Sequence, residues 1–568
     1  ATHQAALNLN AGGTADTFGD ERVLWLRGDT SQEQRNGGVF RNRAVALGDI
    51  INSDPQFAGA QNFAYNALPS TAPGQSTYTA YRLSKINTTT GAVLKPMVYV
   101  GANDGMLHGF DANTGVERFA YVPSALIPKL PQLMDLGYPS RHQYFMDGQM
   151  TIGDAYLNRA GTDRWATVLV GTTGAGARQV FALDVIDPHA FGAGNVMWEY
   201  SDADLGYPLG TPTVGRMADG TWVAVFGNGY NSDNRKAVLY IVRLADGTIL
   251  KKIDTLKGDN TTPNGLATPS LVADGTRTIR TIYAGDLLGN MWKFDVSDAD
   301  PANWGSAFLD ASSKPAPMFV AKDASNVPQP ITAQAQVGRH PQGGYMIYFG
   351  TGKFFVTGDN DVVSTTPQIQ SFYALWDKAV SPTVISGRGS LQEQQIIFEG
   401  KPANSVLNAR VTTNNAVNWS TQRGWYMDLA VGGVAAGERV VSMPRLENGR
   451  IIFPTLVPST SPCEFGGTSW LMDMQAVTGQ RLTEPPLDIT GDGNVNSSDL
   501  VTVSVGGVSV TANISGVQSR EGIIDTPVSV STGSGTEIFV SSGTTGNAEH
   551  FLGSTGLGRA RGSWRQLR

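Results

Sequence analysis

The sequence predicts an all-β fold, a modified seven-bladed β-propeller with helical and loop insertions, from three observations. The chain has 568 residues, more than one compact core of ordinary size holds, so it contains several domains or a repeat architecture. Glycine (67 residues) and proline (29 residues) are abundant, which is typical of many short strands joined by turns. One strand-turn-strand pattern recurs seven times along the chain, and such repetition favours a propeller.

Each copy of the pattern has a strand rich in β-branched residues, a polar or glycine-rich turn, and a second apolar strand that usually ends in Asp. In the clearest copy, the turn 103–105 (Asn-Asp-Gly) separates the two strands. The predicted strand pairs are 98–101 with 107–111, 168–171 with 181–184, 223–225 with 239–241, 282–285 with 291–295, 346–350 with 372–377, 451–453 with 470–473, and 538–540 with 551–552. A single hairpin cannot bury its apolar face, whereas hairpins packed radially in a ring can. The alternative of two stacked β-sandwiches is disfavoured because the pattern recurs so regularly.

The parts of the chain outside the hairpins predict a lead-in and insertions. Residues 1–50 are expected to form an N-terminal lead-in with short helices, one of them over 18–28, and residues 51–568 to form the propeller. The spacing of leucines predicts a further helix over 124–136, despite Pro128 and Pro131. No apolar run approaches the roughly 18–20 residues of a transmembrane helix. The chain starts at Ala1 without a recognisable leader, which fits a cleaved signal peptide or a piece of a longer protein.

Several classes of function are disfavoured by the composition. The net charge of −7 argues against a protein that follows nucleic-acid phosphates. The six histidines show no metal-ligand spacing, and the single cysteine, Cys463, excludes an internal disulfide framework and a thiolate zinc cluster. The hairpin pattern resembles that of quinoprotein dehydrogenases, but those enzymes carry a vicinal cysteine pair that one cysteine cannot supply. We therefore expect no enzymatic activity, and a quinone-dependent dehydrogenase is the disfavoured alternative.

Residues 488–499 predict a calcium-binding loop between the sixth and seventh hairpins. The motif places oxygen donors at alternating positions, a glycine (Gly493) at the sixth and an acidic residue at the twelfth. The expected ligands are Asp488, Thr490, Asp492, Asn494 through its backbone carbonyl, Asn496 and Asp499. No basic residue offsets the three carboxylates, and hard oxygen donors favour Ca²⁺.

Two departures from the usual motif predict weaker calcium binding. Thr490 stands where Asp or Asn is usual, and Asp499 is shorter than the Glu that chelates calcium through both oxygens. The residues after Asp499 predict a strand rather than a helix, so this loop would lack the paired helices of an EF-hand. The alternative is an Asp/Asn/Gly turn that binds nothing.

The tripeptide Arg27-Gly28-Asp29 can be interpreted as an integrin-binding sequence. A tripeptide of this kind also arises by chance, and the apolar residues before it predict a helix that ends at Gly28. Taken from the residues alone, a helix terminator is the favoured interpretation.

Longer stretches of the chain resemble the C-terminal domain of the PilY proteins, which are type IV pilus biogenesis factors and tip-associated adhesins. The matching stretches include LWLRGDTSQEQRNGGVFRNRAVALGDIINSDP (24–55), VYVGANDGMLHGFDANTG (98–115), YFMDGQMTIGDAY (144–156) and YAGDLLGNMWKFDVSD (283–298). The resemblance implies a modified seven-bladed propeller, a calcium-binding loop, and an exported protein at the pilus (fimbrium), the outer-membrane surface or outside the cell.

The resemblance also carries expectations about activity and partners. It implies that the calcium-loaded form opposes pilus retraction and supports twitching motility, with minor pilins and the pilus tip as partners. In some members Arg-Gly-Asp binds host integrins, and this tripeptide matches Arg27, Gly28 and Asp29. Family members often carry an acidic loop before the strand equivalent to 282–285, but residues 272–278 are poor in carboxylates here, so we assign the ion to 488–499. The first alternative is a pure adhesin in which calcium is only structural.

Overall fold

Short antiparallel strands dominate the structure, a computed structural model that describes residues 2–159, 161–363, 366–380, 383–461, 465–532 and 535–556. The chain divides into two compact units. The first unit is Ala1–Thr281 with Asp295–Gly305, and the second is Ile282–Phe294 with Ser306–Arg568. In the described part of the chain, no helix has both the length and the apolar character needed to cross a membrane.

The first unit contains short helices and three four-stranded antiparallel sheets. Its α-helices are α1 (Thr2–Leu7), α2 (Gly19–Leu26) and α3 (Tyr78–Ser84). Its 3₁₀ helices are Gln34–Asn36, Tyr65–Ala67, Gln75–Thr77, Ser124–Met134, Tyr138–Ser140, Pro188–Ala190, Ala193–Asn195 and Pro301–Asn303. The strands of its three sheets are β1 (Gln56–Ala58), β2 (Met97–Ala102), β3 (Met106–Asp111) and β4 (Glu117–Tyr121); β5 (Met150–Arg159), β6 (Thr162–Thr172), β7 (Val180–Asp184) and β8 (Val196–Tyr200); and β9 (Thr213–Arg216), β10 (Trp222–Gly227), β11 (Val238–Arg243) and β12 (Ile249–Asp254). In each sheet, consecutive strands are neighbours.

A further sheet has the order β13-β14-β15-β16, and β19 also pairs with β15. Its strands are β13 (Ser270–Ala273), β14 (Ile279–Gly285), β15 (Asn290–Asp295), β16 (Gly305–Ser306) and β19 (Phe319–Val320). Before β19, a two-stranded ribbon joins β17 (Phe308–Leu309) to β18 (Pro315–Ala316).

The second unit contains a ten-stranded sheet of order β20-β21-β22-β25-β23-β24-β33-β30-β27-β26. Its strands are β20 (Gln336–Arg339), β21 (Tyr345–Gly350), β22 (Ser371–Asp377), β23 (Gln392–Gly400), β24 (Ala409–Thr412), β25 (Gly424–Val431), β26 (Arg445–Glu447), β27 (Arg450–Pro454), β30 (Trp470–Gln475) and β33 (Gly516–Gln518). The sequence predicts the fifth and sixth hairpins as separate repeats. The structure links them in one sheet because β23 and β24 bridge between them, and β23 pairs in parallel with β25.

Smaller sheets complete the second unit. These are the ribbon β28 (Val457–Pro458) with β29 (Gly467–Thr468), the hairpin β31 (Val501–Val505) with β32 (Val508–Ala512), and the sheet of β34 (Val528–Ser531), β35 (Thr536–Ser542) and β36 (Ala548–Ser554). Two 3₁₀ helices of this unit are Arg388–Ser390 and Ser497–Asp499.

All seven predicted hairpins are confirmed as paired strands, namely β2 with β3, β6 with β7, β10 with β11, β14 with β15, β21 with β22, β27 with β30, and β35 with β36. Their inward side chains form the cores. One apolar cluster of the first unit surrounds Trp165 and Trp222, and one cluster of the second surrounds Trp425 and Phe453.

The helix predictions are confirmed in part. Residues 18–28 contain the expected helix, α2. Residues 124–134 are helical and bury the predicted leucines, but they form a 3₁₀ helix. Pro128 and Pro131 lack the N–H that an α-helical hydrogen bond needs, so the tighter helix forms instead. The division of the chain at residue 50 stays a prediction.

Candidate functional site

The predicted calcium loop 488–499 lies in the second unit and leads directly into the hairpin of β31 and β32. This confirms the prediction that a strand, not a helix, follows the loop. The loop begins beside buried Ile489 and ends beside buried Val501, which belong to the same apolar cluster. Both ends are therefore fixed to a core, while Asp492, Asn494 and Asn496 are exposed.

The first half of the loop wraps around Asp488. One oxygen of this carboxylate accepts a hydrogen bond from the Gly491 N–H at 2.7 Å, and the other accepts from the Gly493 N–H at 2.9 Å. Gly493 has a φ of 80°, in the left-handed region that favours glycine. The glycine at the sixth position thus provides the sharp bend that the motif predicts.

The second half of the loop is held by Asp499, whose side chain is completely buried. Its Oδ1 accepts hydrogen bonds from the backbone N–H groups of Ile489 (3.0 Å) and Thr490 (3.2 Å). Its Oδ2 accepts from the N–H of Asn496 at 2.9 Å. This carboxylate therefore ties the start of the loop to its end.

Three of the six predicted ligands come together in the structure. The Thr490 hydroxyl lies 3.2 Å from Oδ1 of Asp488 and 3.2 Å from Oδ1 of Asp499. The other predicted ligands make local contacts. For example, the Asp492 carboxylate accepts a hydrogen bond from the N–H of Asn494 at 2.8 Å. In the described part of the chain, no three His, Cys, Asp or Glu side chains form a group that could hold a metal ion.

The chemistry of the loop nevertheless fits Ca²⁺. Its side-chain donors are all oxygens, and its sequence contains three carboxylates without a basic residue. Hard oxygen donors on a loop of this kind suit Ca²⁺ better than metals that prefer thiolate or imidazole ligands. The contact between Asp488, Thr490 and Asp499 places two of these carboxylates beside one hydroxyl. Calcium binding at this loop stays a prediction.

The neighbours that seat the loop were not predicted from the sequence. The N–H of Asp488 donates to the carbonyl of Leu552 on β36 at 2.9 Å. The carbonyl of Ile489 accepts from the N–H of Val406 at 2.8 Å. The Asn404 amide donates to two carbonyls near the end of the loop, each at 2.9 Å. These partners lie more than fifty positions away along the chain, and no local pattern marks them.

The Arg-Gly-Asp tripeptide lies at the C-terminal end of α2, as the sequence predicts. The N–H of Gly28 donates to the carbonyl of Trp25 at 2.9 Å, and that of Asp29 donates to the carbonyl of Leu24 at 3.0 Å. Gly28 has a φ of 102°. This pair of hydrogen bonds around a left-handed glycine is the Schellman motif that ends many helices.

The two charged side chains of the tripeptide are exposed. The Asp29 carboxylate accepts a hydrogen bond from the Ser31 N–H at 2.7 Å, and hydrogen bonds from Ser31 lower its pKa. The Arg43 guanidinium donates to the Asp29 carbonyl at 3.0 Å and so holds the backbone. The turn is therefore fixed by its backbone while it presents Arg27 and Asp29 to solvent.

Two other sequence features have simple outcomes. Asp274, in the segment considered too poor in carboxylates for calcium, forms an ion pair with Arg280 at 2.8 Å. Asp274 also accepts a hydrogen bond from the Thr276 N–H at 2.8 Å, as expected of a turn. Cys463 lies outside the described residues.

Repeated short antiparallel sheets built from consecutive hairpins define the class of protein as a β-propeller. The family model of the PilY1 beta-propeller domain matches residues 47–408, well over half of the chain. The chain belongs to this family. The fold class predicted from the hairpin repeat is thereby confirmed. Both the Arg-Gly-Asp turn and the loop 488–499 lie outside the matched range.

Relatives and a solved structure agree with this family. A type IV pilus biogenesis factor PilY1 homolog of Xylella fastidiosa (strain Temecula1) is 38% identical over 522 residues, 87% of this chain and 34% of the relative. The type IV pilus biogenesis factor PilY1 of Pseudomonas aeruginosa (strain PAK) is 37% identical over 516 residues, 85% of this chain and 42% of the relative. The chain thus spans less than half the length of these curated relatives.

The crystal structure of the Pseudomonas aeruginosa PilY1 C-terminal domain is similar to this structure with a TM-score of 0.66 and 30% sequence identity. The similarity covers 84% of this chain and 94% of that one.

Proposed function

We propose that the chain is a non-enzymatic, calcium-binding domain of a type IV pilus biogenesis factor. Two relatives that bear this name match more than four-fifths of the chain, which supports the pilus role. The observation that carries the calcium role is the wrapped loop around Asp488, with a hydroxyl between two carboxylates. In this proposal the protein is exported, acts at the pilus or the cell surface, and contacts minor pilins at the pilus tip.

Calcium would be held by Asp488, Thr490, Asp492, Asn494, Asn496 and Asp499. When bound, the ion supplies positive charge that offsets the repulsion among the three carboxylates. The chain itself supplies the connection to the fold. The N–H of Asp488 donates to β36, and the carbonyl of Ile489 accepts from the N–H of Val406. The Asn404 amide donates to two carbonyls near the end of the loop. A loop ordered by calcium would therefore hold the terminal sheet more firmly than a calcium-free loop. In this proposal, the calcium-bound form favours the state that opposes pilus retraction.

The pilus role is tested in cells that lack the corresponding gene. The deletion is complemented with the full-length gene, either natural or carrying Asp492→Ala. A matched control is Asp219→Ala, because Asp219 also precedes a glycine and accepts the N–H two residues on at 2.8 Å. We expect the Asp492→Ala cells to lose surface pili and twitching, and to regain pili when retraction is disabled. Normal twitching by the Asp492→Ala cells would contradict a regulatory role for calcium.

A second candidate function is adhesion through Arg27, Gly28 and Asp29, with host integrins as partners. The observation that favours it is the exposure of both charged side chains on a backbone fixed by the Schellman motif. Asp29→Glu keeps the charge and lengthens the side chain, and should reduce attachment of piliated cells to integrin-coated surfaces. Equal attachment by natural and Asp29→Glu cells, with equal numbers of pili, would remove this function.

A further inference from the structure

The second unit contains a cleft of about 300 Å³ that the calcium loop does not line. Four segments form it: the residues that lead into β26, the end of β27 with the residues after it, those that lead into β34, and the end of β35 with the turn to β36. Loops at the ends of sheet strands are frequent sites of ligand binding, because a rigid scaffold positions them.

The walls of the cleft are apolar and firmly held. They include Val441, Pro454, Leu456 and Ile523. Leu456 is 5% exposed, and its backbone exchanges two hydrogen bonds with that of Arg439, at 2.9 and 2.8 Å. Because these walls belong to the fold, the cleft exists before any ligand arrives.

The lining of the cleft also includes polar residues and one acidic residue. Ser442, Ser542 and Thr544, which carry hydroxyl groups, belong to the lining, and so does the exposed Asp525. Among the described residues that line the cleft, Asp525 is the one with an ionisable side chain.

Asp525 is held in place by hydrogen bonds to its neighbours. Its Oδ1 accepts a hydrogen bond from the Thr526 N–H at 2.6 Å, and its carbonyl accepts from the Ser541 hydroxyl at 2.8 Å. The Thr526 hydroxyl in turn donates to the carbonyl of Met443, the neighbour of the lining residue Ser442, at 2.6 Å. These contacts fix the backbone around Asp525, which lines the cleft.

We propose that this cleft binds a lysine side chain presented by a partner protein. The aliphatic stem of lysine suits the apolar walls, and its ammonium suits a lining that contains one carboxylate and several hydroxyl residues. Arginine fits less well, since its planar fork favours both oxygens of a carboxylate and Oδ1 of Asp525 already accepts from the Thr526 N–H. The net charge of −7 favours approach of a basic partner. This site is independent of the calcium loop, so either proposal can fail without the other.

The experiment is a ligand-observed NMR titration of the intact protein with N-acetyl-lysine methylamide. N-acetyl-norleucine methylamide, which lacks the ammonium group, and the arginine analogue are the comparison probes. The protein variants are Asp525→Asn and, as a matched control on another exposed aspartate, Asp219→Asn. Thermal melts of both variants confirm that they fold.

We expect the lysine probe to bind more tightly than the norleucine probe, and to weaken as salt is added. Asp525→Asn should weaken lysine binding by roughly 5-fold and leave norleucine binding unchanged, while Asp219→Asn changes neither. Equal binding of the lysine and norleucine probes, an undiminished lysine signal in Asp525→Asn, tighter binding of the arginine probe, or no binding of any probe would each overturn the proposal.

Discussion

Replacing Asp499 by alanine should release the calcium loop even when no calcium is present. The buried carboxylate accepts hydrogen bonds from the N–H groups of Ile489, Thr490 and Asn496. A buried donor left without its partner costs about 1–3 kcal/mol. The Ile489 donor is buried, while those of Thr490 and Asn496 are partly buried, so we expect a loss of about 2 kcal/mol, which corresponds to about 30-fold less protection of the loop from opening.

The assay is hydrogen exchange measured by mass spectrometry on peptides that cover residues 485–500, with a chelator present to remove calcium. The control is Asp492→Ala, because Asp492 is exposed and accepts one backbone hydrogen bond, from Asn494. Its loss should change protection by a few-fold at most, since water can replace an exposed acceptor. If Asp499→Ala and Asp492→Ala exchange at the same rate, Asp499 does not hold the loop.

Three further predictions concern other parts of the chain. The Arg410 guanidinium is buried and forms ion pairs with Glu399 and Glu438, each at 2.6 Å. Arg410→Ala should therefore lower the free energy of unfolding, measured by urea denaturation, by about 3–5 kcal/mol. A loss below about 1 kcal/mol would contradict this prediction. Burial raises the pKa of Asp473 from 3.8 to about 6, so the native state binds the proton of this carboxyl group more tightly than the unfolded state does. The stability that this group contributes is therefore lost as the pH rises from about 4 through about 6. Asp473→Asn should therefore be more stable than the natural protein above pH 7 by up to about 3 kcal/mol, with little gain at pH 4, and identical pH profiles would refute the assignment. Gly28→Ala should shorten α2 and lower the free energy of unfolding, followed by thermal denaturation, by about 1 kcal/mol, because Gly28 has a φ of 102°. An unchanged melting temperature would show that this turn tolerates a side chain.

Local patterns in the sequence predict the hairpins well. Each predicted pair needs only a short turn and two apolar strands close in sequence, and β2 with β3 forms with 98–101 and 107–111 inside its bounds. The junction of the fifth and sixth hairpins depends instead on β23 pairing with the later strand β25 and β24 with β33. Pairings between distant strands leave no local periodicity, so the ten-stranded sheet could not be predicted.

The candidate sites show the same division. The bend at Gly493 and the helix end at Gly28 follow from local backbone conformation, and both were predictable from glycine in its context. The sequence also predicts the strand after Asp499. The part that Asp499 plays as an acceptor for backbone amides, and the seating of the loop by Asn404, come from tertiary packing. A ligand motif names oxygen donors but does not say which of them the fold itself requires.

Isothermal titration calorimetry measures directly whether residues 488–499 bind calcium. Calcium is titrated into the chelator-treated natural protein and into the Asp492→Ala and Asp219→Ala variants. We expect saturable binding at one site in the natural protein and in Asp219→Ala, with dissociation constants in the weaker part of the roughly 10⁻⁷–10⁻³ M range of such loops. Asp492→Ala should lose that binding. Equal heats for Asp492→Ala and the natural protein would contradict it.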